Sequence, residues 1–128
     1  MTMQDVITLF RYPELLVYCT DNDSDLLSSY LGNFACVYFN FQGKPHTLSI
    51  VYPTKILVTT IDFRFGLDGK IESFPVEEND TATFINYSDT TLDKLKNIIY
   101  NCYKQSVLNA KNFLVKIKKD AINKDFTN

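Results

Sequence analysis

At Ser88 the spacing of apolar residues switches from two to three or four, and that switch decides which folds are open to the chain. An alternation of two puts successive side chains on opposite faces of a strand, while a spacing of three or four gathers them on one side of a helix. Before the switch lie several short β-like runs. After it lies one long helical run. The expected class is therefore α+β, an antiparallel meander sheet of about five strands with short N-terminal helices and one long C-terminal helix.

The runs are dense in β-formers and are separated by turn residues. Phe34 to Phe41 reads as a central strand, and His46 to Tyr52 as a strand with one wet face. Lys55 to Phe65 reads as the longest strand, with Leu57, Thr59, Ile61, Phe63 and Phe65 on one face. Lys70 to Phe74 pairs back on it through the Gly66-Leu67-Asp68-Gly69 turn, and Thr81 to Tyr87 forms a fifth strand. Short links favour antiparallel neighbours, because a parallel pair needs a long crossover.

Upstream, Val6, Ile7, Leu9 and Phe10 give a short helical pattern that Tyr12-Pro13 interrupts. Leu15 to Cys19 reads as a helix or a strand, with helix preferred, and Leu26 to Leu31 reads as a helix that Gly32-Asn33 stops. Downstream, Leu92, Leu95, Ile99, Cys102, Val107, Ala110, Leu114 and Ile117 mark a helix over about 89–119. Ser88 or Thr90 is expected to cap it, and residues 123–128 are expected to fray. The whole of 1–128 reads as a single domain.

Charge is unevenly distributed. Residues 1–90 carry five basic groups against twelve acidic ones, a net of −7, whereas residues 91–128 carry eight lysines against three acids, a net of +5. An acidic body suits a basic protein partner and opposes a nucleic-acid footprint. The chain has only two arginines, Arg11 and Arg64, and Arg is the preferred bidentate phosphate contact. The N-terminus lacks the basic start and apolar run of a signal peptide, and no apolar stretch is long enough to span a bilayer. A cytoplasmic protein that does not enter membranes is expected.

Few residues of the chain are spaced for chemistry. Cys19, Cys36 and Cys102 are far apart, form no paired-cysteine motif and read as small apolar residues. Asp21-Asn22-Asp23-Ser24-Asp25 starts like a calcium loop, but Leu26 and Gly32 occupy the places that need Gly and Glu. His46 is the only histidine, which leaves metal sites and nucleophile–base pairs short of partners. No glycine-rich phosphate loop occurs. Neither a catalytic residue, a metal nor a cofactor is expected.

What remains points to binding. The expected partner-binding residues are Asp21, Asp23, Asp25, Asp62, Glu72, Glu77, Glu78 and Asp80; the eight tyrosines read first as partly buried core-edge residues and second as interface material. The expected function is that of a non-enzymatic protein-binding protein, an immunity protein or inhibitor that neutralises a basic toxin or nuclease through an acidic surface. One alternative is a secretion or assembly chaperone, or a phage-encoded inhibitor, acting as a homodimer and offering its client the sheet or the long helix. The other is an enzyme with a cleft between sheet and helix that uses Asp62 or His46.

Overall fold

The computed structural model describes residues 1–20, 34–76 and 83–127. Helix α1 is Met3–Ile7, closed by a capping box in which Thr2 and Asp5 each bond the other's backbone N–H. The strands are β1 (Leu15–Thr20), β2 (Phe34–Phe41), β3 (Lys44–Val51), β4 (Lys55–Val58), β5 (Ile61–Phe65), β6 (Ile71–Pro75) and β7 (Thr83–Asn86). A 3-10 turn over Tyr87–Asp89 leads into the long helix α2, Leu92–Thr127. The architecture is α+β, as the change of period predicts.

Five strands form one antiparallel sheet in the order β1-β2-β3-β4-β7, and β5 and β6 form a separate two-stranded hairpin between β4 and β7. Leu15 to Cys19 is a strand, the second of its two readings and not the preferred helix: Leu15 pairs with Phe39 and Val17 with Val37 across β2. The β-branched and aromatic content of Leu15 to Thr20, together with a neighbouring strand edge, outweighs the helix-start signal of Pro13-Glu14. The expected helix at Leu26 to Leu31 lies outside the described residues.

The long strand expected over Lys55 to Phe65 is broken at Thr59-Thr60, and its inward side changes there. Ile56 and Val58 are buried in β4, then Ile61 and Phe63 in β5. The step from Val58 to Ile61 is three residues, so the two-residue extended link carries the chain out of the main sheet while keeping apolar side chains inward. Elsewhere a β-bulge in the β2–β3 pairing, between Val37 and Tyr38, lets the consecutive residues Leu48 and Ser49 both turn inward. Buried Ser49 is satisfied by donating to the Leu57 carbonyl. The β2–β3 turn has positive φ at both Gln42 (55°) and Gly43 (74°), the requirement of a two-residue turn that matches strand twist.

The core lies between the helices and one face of the sheet. Val6 and Phe10 contribute from the N-terminus, Ala35, Val37, Phe39 and Phe41 from β2, and Leu95, Ile99 and Ala110 from α2. Thr91, one residue beyond the expected cap, accepts from the Lys94 N–H at 3.3 Å. At about 1.5 Å per residue the 36 residues of α2 extend about 54 Å, and the outer turns carry exposed Val115 and Ile122.

Candidate functional site

Where the β5–β6 hairpin meets α2, the two elements are joined by side chains. Ile61 N–H donates to Ser106 Oγ at 3.1 Å, and Asn109 Nδ2 donates to the Ile61 carbonyl at 3.0 Å. Ser106 is fully buried, and its own hydroxyl donates a hydrogen bond to the Cys102 carbonyl at 2.7 Å. Two helix residues three apart thus take the place of a neighbouring strand for one residue of β5.

The register of the hairpin fixes what happens next along that edge. Val76 N–H donates to Thr60, and Gly66 N–H to Lys70, so the even-numbered residues of β5 bond β6. The odd-numbered residues Ile61, Phe63 and Phe65 therefore turn their backbone groups toward α2. Ile61 is satisfied by the helix, and Phe63 N–H donates to its neighbour's Asp62 Oδ1 at 2.8 Å. The Phe63 carbonyl and both backbone groups of Phe65 have no partner among the described residues.

Alongside this open edge runs a groove of about 400 Å³. Asp62 to Phe65 form one wall, and Asn109, Asn112, Phe113, Lys116, Ile117 and Asp120 form the other. Phe65 and Phe113 lie 5.2 Å apart at ring centroids, so the groove has an apolar stretch between polar rims. The hairpin end adds exposed apolar surface, with Phe65 at 55% and Leu67 fully exposed.

Two of the acidic residues singled out from the sequence fall on this hairpin. Asp62, Arg64, Glu72 and Phe74 share one face, since Asp62 pairs with Phe74 and Arg64 with Glu72. Glu72 binds Arg64 at 2.6 Å, and the guanidinium sits 4.8 Å from the Phe74 ring centre. That pair cancels the charge of Glu72, which leaves Asp62 as the acidic group on the hairpin wall, with Lys116 and Asp120 on the helix wall. Asp21, Asp23, Asp25, Glu77, Glu78 and Asp80 lie outside the described residues.

His46 does not line the groove. It is buried behind Phe63, whose ring meets it edge-on at 5.2 Å, with Phe41 at 6.3 Å. Its Nε2 has no hydrogen-bond partner among the described residues. Desolvation, aided by the Lys44 charge, lowers its pKa below the ordinary histidine value. Among the described residues no group of three His, Cys, Asp or Glu side chains could hold a metal ion, and no helix is long and apolar enough to cross a membrane.

Several tyrosines are tied into the body. Tyr12 stacks on Tyr103 at 4.2 Å, and the Tyr103 hydroxyl donates to the Glu14 carboxylate. Burial and that bond push the Tyr103 hydroxyl above its ordinary pKa. Tyr87 donates to the Tyr52 carbonyl at 2.5 Å, and burial raises it to about 12.

The helix wall of the groove is absent from the acidic pattern read in the sequence. Its one legible trace is Ser106, a polar residue set into the apolar stripe of α2 between Cys102 and Ala110. A hydroxyl there needs a bond partner, and the β5 edge supplies it. A scan against protein-family models finds no match to the chain, and neither does a search of curated proteins or of solved structures.

Proposed function

We propose that this chain is a non-enzymatic protein-binding protein of the cytoplasm, an inhibitor or immunity-type protein, which grips its partner with the β5–β6 hairpin and the adjoining groove. The observation that carries this reading is the open Phe63 carbonyl and Phe65 backbone beside a groove with an apolar stretch. Exposed Phe65 and Leu67 extend the same surface. A basic partner is favoured by Asp62 at the groove and by the net charge of −7 over residues 1–90.

The test compares partners retained by the tagged full chain with those retained by a Phe65→Ser, Leu67→Asp double variant. Both positions are exposed, so the variant should fold. The double variant is expected to lose a partner that the parent holds, and added salt should weaken the parent complex. A variant that keeps every partner at every salt concentration would sink the proposal.

A further inference from the structure

We propose that the occupant of the groove is an extended segment of the partner protein, which adds to β5 as a third strand of the hairpin sheet. The inference rests on the reading that this groove is the docking surface, and it specifies how the partner is held. Strand addition needs an exposed row of main-chain donors and acceptors with room beside it. Phe63 and Phe65 supply the row, and α2 stands back from them across the groove. At Ile61 the space closes, because Ser106 and Asn109 already occupy the edge. The receptive stretch is therefore short, Phe63 to Phe65, and is entered from the hairpin end.

Two copies of the chain cannot pair β5 against β5 at this edge. In each copy β5 is flanked by its own α2, so two β5 edges brought together would drive each helix into the opposing hairpin. A single extended strand has no such obstacle.

The groove also states what the strand should carry. Side chains of an added strand alternate between the two faces of the hairpin. Those on the Phe63 and Phe65 side meet Phe113 and Ile117 and should be apolar. Those on the opposite side meet the face of Asp62 and Arg64. Arg64 is committed to Glu72, so on that face Asp62 is the charge a partner can read, and it selects Lys or Arg. Asp62 also guards the edge: its carboxylate occupies the Phe63 N–H that the incoming strand's carbonyl must take. A basic side chain on the partner holds that carboxylate once it is displaced.

The test selects binders for the full chain from a random twelve-residue peptide library on phage. The strongest binder is then synthesised with N-methyl groups on amides of one parity or the other. Main-chain pairing predicts an asymmetry: methylation of one parity weakens binding about tenfold or more, and the other parity changes it less than about twofold. Phe65→Pro deletes an outward N–H together with the Phe65 ring of the groove wall, while leaving the β5–β6 ladder intact, and should weaken binding by at least a similar factor. Asn112→Trp, at an exposed groove position, should abolish it.

Equal sensitivity of both parities overturns strand addition. If Asn112→Trp still abolishes binding in that case, the groove itself survives as the docking surface. Binding indifferent to both Phe65→Pro and Asn112→Trp removes the groove as well, and a selection that yields no binder overturns the strand proposal.

Discussion

Ser106 and His46 are both buried polar residues, and they differ in how their polarity is satisfied. Ser106 bonds Ile61 and Cys102, so Ser106→Ala leaves the Ile61 N–H stranded in the core. The expected loss is about 1–3 kcal/mol, read as a lower urea midpoint with unchanged slope. His46 has an unpartnered Nε2 amid phenylalanines, so His46→Phe should instead stabilise the chain, by about 1–3 kcal/mol. Protonation sharpens the contrast. The folded state depresses the His46 pKa, so below the ordinary value of 6.5 the unfolded chain binds more protons than the folded one. Stability is then complete above that value and falls as pH drops through it. Comparing urea midpoints at about pH 7.5 and 5.5 should show a decline in the parent that is smaller in His46→Phe. A parent with equal midpoints would refute the depressed pKa.

At the scale of elements, the hairpin and α2 stabilise one another only along part of the helix. Buried or half-buried contacts run from Leu95 to Leu114, and Val115, Lys118, Lys119, Ala121 and Ile122 are exposed. Removing the residues after Asp120 should therefore change unfolding free energy by less than about 1 kcal/mol, measured by urea titration. A larger loss would mean that the outer turns brace the body. Leu108, Val115 and Ile122 recur every seven residues on exposed positions, each preceded four residues earlier by a lysine, Lys104, Lys111 or Lys118. The existence of α2 and of β2, β3 and β7 could be read from periodicity because long regular patterns dominate local preference. The strand β1 could not. Leu15 to Thr20 is apolar without a clear period, and its state is decided by pairing with β2, a contact distant in sequence.

For the whole molecule, the decisive choice is that β5 leaves the main sheet. Sequence alternation suggested one long strand and one meander, and it correctly placed Ile61, Phe63 and Phe65 on a common side. It missed that Ile56 and Val58 are inward too, because a steady alternation cannot hold both sets. The groove follows from that departure: the sequence exposed Asp62 on the hairpin wall, while the facing helix residues, Asp120 among them, lie about fifty positions away. The pair of threonines at 59–60 acts like a missed beat in a two-beat rhythm. Dropping Thr60 would bring Ile56, Val58, Ile61 and Phe63 into one unbroken rhythm and let 55–65 run straight. Such a chain should fold with similar strand content by circular dichroism, yet carry the hairpin away from the helix and hold no peptide. One codon thus separates a corner from a flat continuation, and a three-step stride inside a two-step pattern is the mark by which such a corner can be found in a sequence.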